Sequence, residues 1–294
     1  GFSGISHVKL GNVNKSLFLR LLLPGMIGLL AFYVVPFVWG IWFSLTDGTI
    51  DNRFVGFANY LRVWKNPVFQ LGLKNTLELS LLCAPAIFLL SFLLAGMLRK
   101  HVAGDSFFRN ALLLPYLMPS SAILIIWLLI FDYGGVINRL VVALGAERVF
   151  WLEGEMLRVP IVLLYIWKNL GFSVVIFTAA LQAVPEAMYE YASLEGAGWL
   201  RRELSITLPQ ILPTAFLVLV LAIVNAFKIF KEVYFIGGSY PNESIYTLQH
   251  YMNNKFSKLD YQDVTTAAYS FALIVLVFIF LLYRTKSVRG DSAA

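Results

Sequence analysis

The sequence predicts an all-α, polytopic membrane protein with six spanning helices. Composition is the first reason. Of 294 residues, 59% are hydrophobic and 14% charged, against about 25% charged in soluble domains, so most of the chain suits lipid. The second is run length, because a span takes about 20 mostly apolar residues and six segments reach it. The third is the position of the remaining charge, most of which falls in the stretches between those segments.

Residues 1–20 hold Lys9, Lys15 and Arg20 and read as a terminal segment outside the membrane. The chain begins at Gly1, so native residues are expected to be missing or replaced there. The first span, 21–45, carries no charge. It is too long for a signal-peptide core and no small-residue cleavage pattern follows it, so it is read as a retained helix. The second span, 77–98, is uncharged from Leu79 onward, and the third, 111–131, throughout. Lys168 interrupts the fourth, 159–184, and Lys228 the fifth, 211–230. The sixth is 264–283, and 284–294 is a tail. Pro24, Pro36, Pro85, Pro115 and Pro119 fall within or at the ends of spans, where each removes a backbone donor. Packing in a bundle and lining of a water-filled path both accommodate such breaks.

Six spans put both termini on one side. With that side cytoplasmic, the inner segments hold eleven Lys and Arg in 71 residues and the outer ones ten in 93. That surplus follows the positive-inside rule and places the termini and the loop 185–213 in the cytoplasm. The net charge of +6 is dispersed, with no basic run beyond pairs such as Arg99-Lys100 and Arg201-Arg202, so it orients the chain rather than binding nucleic acid. The outer segments 46–75 and 239–263 mix charge with Phe57, Tyr60, Trp64, Tyr246 and Tyr251. They suit either a membrane-interface belt or a docking face for an external partner.

No catalytic constellation is visible. The sequence lacks a G-x-x-x-x-G-K-[ST] phosphate loop, an H-E-x-x-H pair and cysteines at zinc spacing. Cys83 is alone within an apolar run, so no intrachain disulfide forms. His7, His101 and His250 lie in separate segments and are each read as surface or interfacial residues. No catalytic or metal-ligating residue is assigned; if ATP powers this protein, another chain binds it.

The cytoplasmic loop is the polar feature between the fourth and fifth spans. Pro185 suits a helix first turn, and Glu186 and Glu190 follow at the positive end of its dipole. Ala187, Tyr191 and Leu194 share a face. Gly196 and Gly198 stop that helix, and Trp199 to Leu208 are expected to form a second short one before Pro209. Two helices with a glycine elbow make a protruding knob. Its acids suit a partner cleft better than anionic lipid.

Glu190-Tyr191-Ala192, Gly196 six residues after Glu190, and Ile206, Leu208 and Pro209 resemble the E-A-A…G…I-x-L-P signature of permease subunits of ATP-binding-cassette (ABC) importers. Tyr191 stands where alanine is usual, and Glu195 where aspartate is. Leu22-Leu23-Pro24-Gly25, Tyr33-Val34-Val35-Pro36, Val55-Gly56-Phe57-Ala58-Asn59-Tyr60 and Gly237-Gly238 through Thr247-Leu248 are similar to the carbohydrate branch, in its maltose and glycerol-phosphate permease type. The resemblance covers nearly the whole chain. It implies the type I importer permease architecture in a bacterial inner membrane, with a cytoplasmic coupling helix. It also implies a second homologous permease, two ATPase subunits that bind ATP and Mg, and a periplasmic or extracellular solute-binding protein. Glu190, Ala192, Gly196, Ala197, Ile206, Leu208 and Pro209 are carried over as the ATPase-docking loop.

The substrate path is sought among intramembrane polar residues, which are costly and therefore functional candidates. In the fourth span these are Lys168, Asn169, Ser173, Thr178 and Gln182, with Tyr165, Trp167 and Phe172 as stacking surfaces; in the fifth, Asn225 and Lys228. Either lysine can instead snorkel to the interface. If both face the path, they form a cationic site for an acidic saccharide or sugar phosphate. The rival classes are weaker: an ion-driven transporter needs an acidic relay, for which Glu78 at the outer edge of the second span is the candidate, and a membrane enzyme needs a reactive set.

Overall fold

The computed structural model describes residues 15–98, 105–227 and 229–290. Lys15–Leu29 (α1) and Val35–Ser44 (α2) join through a single wide turn at Leu30–Val34 into one long helix. Pro36 explains the widening. A proline ring collides with the carbonyl four residues back, and here the ladder shifts to Val35 N–H donating to Leu30 O. Ala58–Trp64 (α3) lies across the outer end, and Pro67–Met97 (α4) descends from it. Asn66 caps α4, its side-chain oxygen accepting from the Val68 and Phe69 amides, so the second spanning helix starts ten residues before position 77.

The apolar run 111–131 is not one helix. It is divided between Asp105–Leu117 (α5) and Ser120–Phe131 (α6), with Pro119 at φ −57°, ψ 132° between them. The residue before a proline is pushed out of helical conformation, and Met118-Pro119 breaks the chain there. Val136–Ala143 (α7) follows α6, and Arg158–Gln182 (α8) is the fourth span. Glu186–Leu194 (α9) forms the loop helix, and Trp199–Arg202 (α10) runs through a wide turn at Glu203–Thr207 into Leu208–Ala226 (α11). The expected second short helix ending at Pro209 is therefore the foot of the fifth span. The reason is the one at Pro36: Leu208 N–H donates to Glu203 O, and the proline is absorbed without a stop. Phe230–Gly237 (α12), Leu248–Ser257 (α13) and Tyr261–Gly290 (α14) complete the chain. Among the described residues, six helical segments are long and apolar enough to cross a membrane.

α8 is the central helix, packed on α4, α5 and α11. Its outer half shares a core of Leu79, Cys83, Ile161, Tyr165 and Ile229 with α4 and the α11–α12 region, and its inner half a second core of Val174, Phe177, Leu181, Ile211 and Val218. Against α5 the approach is closer still. A Cβ on Gly171 would lie 1.8 Å from Leu112 O, so only glycine lets these backbones meet. By contrast, the first span is exposed along most of its length and touches the bundle chiefly through α2 on α14.

The segments 46–75 and 239–263 fold onto each other. Val63, Phe69, Tyr246, Leu248 and Tyr251 form one core. Buried Asp263 beneath it is met by Arg62 at 2.6 Å and Lys255 at 2.6 Å. His250 is fully buried here, contrary to its reading as a surface residue. It caps α13, with Thr247 N–H donating to its Nδ1 at 3.2 Å, and burial pushes its pKa down to about 4. His7 and His101 lie outside the described residues.

The α5–α8 contact yields a stability prediction. Gly171→Val is expected to lower the melting temperature of the purified protein, overpacking costing about 1–3 kcal/mol or more. Gly96→Ala, where no atom lies within 4 Å of the added Cβ, leaves it unchanged; equal melting for the two variants would refute the close approach.

Candidate functional site

The loop between α8 and α11 is built as a knob on a rigid foot. α9 ends at Glu195, and Gly196 takes φ +75°, a left-handed conformation that favours glycine. Gly196 N–H donates to Ser193 O and Ala197 N–H to Ala192 O at 2.9 Å, closing the elbow. Tyr189, a residue the signature does not mark, anchors it. Its ring packs with Val184, Ile211 and Ala215, and its hydroxyl is 2.7 Å from Thr207 Oγ1 in a buried bond. On the outer side of the knob Arg202 donates to Ser193 Oγ at 2.8 Å, tying α10 to α9.

The signature residues divide by role. Ile206 packs against the core that holds Tyr189, and Leu208 is half-buried beside it. Glu190, Gly196 and Pro209 are exposed, with Ala192 and Ala197 half-buried at the elbow. The face carrying Tyr191 and Leu194 is turned outward, these side chains being 71% and 84% exposed, and Trp199 and Leu200 continue it. Such a cluster of exposed large apolar side chains with acids at its edge is a contact surface in the general sense, suited to a protein or a membrane.

Within the membrane, the structure gathers Tyr165, Asn169, Phe172 and Ser173 of α8 with Asn225 of α11 around one small cleft, closed by Ile87, Val218 and Ala222. These α8 residues lie about 10 to 23 Å along the helix from Arg158, near mid-membrane depth. Asn169 donates to Tyr165 O at 2.8 Å. Phe172 stacks on Tyr116 at 5.0 Å between ring centres. The Tyr165 hydroxyl is buried with no hydrogen-bond partner, and a buried polar group left so is costly.

Other candidates fall elsewhere. Trp167 stacks on Trp127 with ring centres 5.7 Å apart. Thr178 bonds back to Val174 O within its own helix, and Gln182 is exposed at the loop end of α8. Lys228 lies outside the described residues. Lys168 does not present a free cation: its Nζ is 3.2 Å from Glu232 Oε1, and it also donates to Ser120 Oγ. The expected cationic pair is thus not formed through Lys168, because an acid beyond the expected end of the fifth span compensates it. No charged side chain is among the described residues lining the cleft. Glu232 escaped notice because it follows Lys231 and so reads as interfacial; the helix continues past it to Gly237.

The family of binding-protein-dependent transport system inner membrane components matches residues 87–287. The chain is 30% identical over 285 residues to the diacetylchitobiose uptake system permease protein NgcF of Streptomyces coelicolor, covering 88% of this chain and 79% of that one. It is 31% identical over 282 residues to the polygalacturonan/rhamnogalacturonan transport system permease protein YteP of Bacillus subtilis, covering 92% and 88%. In structure it resembles a chain of a bacterial alginate ABC transporter solved in complex with an alginate pentasaccharide-bound periplasmic protein, with a TM-score of 0.76 and 25% identity over 91% of this chain and 92% of that one. The chain therefore belongs to the inner-membrane permeases of binding-protein-dependent ABC importers and groups with those named for sugar transport.

Proposed function

We propose that this chain is the translocation subunit of an ATP-driven importer that carries a carbohydrate inward across a bacterial inner membrane. It pairs with a second, homologous permease, and two ATPase subunits supply ATP and Mg binding; the chain itself has no catalytic role. A solute-binding protein delivers the sugar to the outer end, and both termini lie in the cytoplasm. The observation that carries this reading is the knob at 186–209. Exposed apolar side chains and acids surround a glycine elbow, and the elbow is stapled to the foot of a spanning helix by the Tyr189–Thr207 bond.

The coupling is mechanical. An ATPase surface that holds the knob differently in its two nucleotide states moves α9, and α9 moves α10 and α11 because Tyr189 and Arg202 join them. The cleft at Tyr165, Asn169, Phe172, Ser173 and Asn225 marks the sugar path; it is only water-sized in this structure and widens for a sugar to pass. Hydroxyls of a carbohydrate match its amides and its unpaired phenol, and its aromatic ring suits the apolar face of a sugar. An ion-driven mechanism has less support, since buried Glu232 is already paired with Lys168.

Two outcomes are expected. Gly196→Asp meets no atom within 4 Å in this chain but must hold φ +75°, which Asp adopts more readily than most non-glycine residues, so the protein should insert and fold with a strained elbow while uptake by the reconstituted complex is lost. Retained solute-stimulated ATPase activity in that assembled variant would overturn the docking role. Asn169→Ala and Asn225→Ala should each weaken uptake, by about 1–3 kcal/mol for a lost buried hydrogen bond. Because the cleft is lined without charge, neutral and acidic oligosaccharides should lose uptake alike; unaltered uptake of both by the two variants would move the path elsewhere.

A further inference from the structure

Lys168 and Glu232 form an ion pair whose side chains are only 13% and 6% exposed, within helices that cross the membrane. Charge at that depth persists when paired and commonly serves function. The pair does not line the cleft, although Asn169 next to Lys168 does. What distinguishes it is its position at two helix breaks. Ser120, which accepts from Lys168, is the first residue of α6 beyond Pro119. Glu232 is in the first turn of α12, just past the interruption that follows Ala226. One ammonium on unbroken α8 thus holds the far halves of both broken helices. Apolar packing continues the clamp, with Ile236 of α12 set against Ile123, Leu124 and Leu164.

The near side of the second break is α11, which runs without interruption from the docking knob. A pull on the knob therefore reaches the break as motion of a rod, and α12 beyond it is held by Glu232. Resting on the permease reading, we propose that the Lys168–Glu232 pair is an intramembrane latch that opens and recloses during each transport cycle, positioning α6 and α12 against α8. Two charges without solvent have few intermediate states, so the contact is either made or exchanged for other partners.

A passive buried pair can be replaced by apolar side chains with little loss or even a gain in stability. A latch cannot be so replaced without changing the cycle. The test uses the full complex in proteoliposomes, with both permeases, the ATPase and the solute-binding protein. A parent complex without ATP-dependent uptake would overturn the permease reading and the latch with it. With uptake established, Lys168→Met/Glu232→Leu should assemble, yet solute carried per ATP hydrolysed should fall by about tenfold. The exchanged pair, Lys168→Glu/Glu232→Lys, should recover most of it. Parent-like coupling in the apolar pair would overturn the latch. A second experiment leaves the charges in place: Leu164→Cys of α8 with Ile236→Cys of α12, neighbours in one apolar cluster, in a Cys83→Ala background, joined by a short reducible cross-linker. Uptake should stop on cross-linking and return on reduction; uptake that continues with the cross-link formed would equally overturn the proposal.

Discussion

In hydrocarbon a backbone N–H or C=O has no water to turn to, and the structure depends on how that demand is met where proline withholds a donor. Four sites show three solutions. At Pro36 and Pro209 the preceding turn widens, the ladder moves to the fifth residue, and the helix continues. At Pro85 the proline is carried within α4. At Pro119 the helix parts, leaving Ser120 to start a new one. A continuous rod and a broken one have different mechanical uses. The widened turn at Glu203–Thr207 keeps the docking loop in line with the fifth span, while the break at Pro119 makes a joint.

α8 is what these pieces are assembled on. Gly171 brings the backbone of α5 against it, Leu79 and Cys83 of α4 pack along it, and Lys168 reaches across to α6 and α12. Its successive faces are given over to different tasks: Tyr165, Asn169 and Ser173 toward α11 and the cleft, Lys168 toward the joints. The docking knob then sits at the loop end of the same helix, separated by the turn at Pro185. The proposed sugar path, the buried ion pair and the proposed coupling element are thereby mounted on one support.

Much of the local structure of the loop 185–213 was legible because its chemistry is local. A helix start at Pro185, acids in the first turn and a glycine stop lie within a few residues of one another, and helix ends follow from such neighbours. Tyr189 was not legible as the anchor, because its partner Thr207 is supplied by the foot of the fifth span. The polar residues of the fourth span were visible as costly, but which of them share a cleft depends on helix rotation. Tyr165, Asn169, Phe172 and Ser173 turn to α11, whereas Trp167 turns to Trp127. His250 read as surface or interfacial because nothing near it in sequence announces that the ring of Phe230, twenty positions earlier, packs on it.

The sequence by itself determined the solvent, the helical class and the family, since run length, the sparseness of charge and the spacing from Glu190 to Pro209 are properties of consecutive residues. Only the tertiary structure decided what the buried charges do. A lysine in a span can snorkel, bind an anion or pair with an acid, and those outcomes differ by which side chain stands opposite it. Glu232 stands opposite Lys168 because α12 continues past the interruption after Ala226 and is packed onto α6 and α8. That is a matter of three-dimensional placement of residues 64 positions apart in the chain.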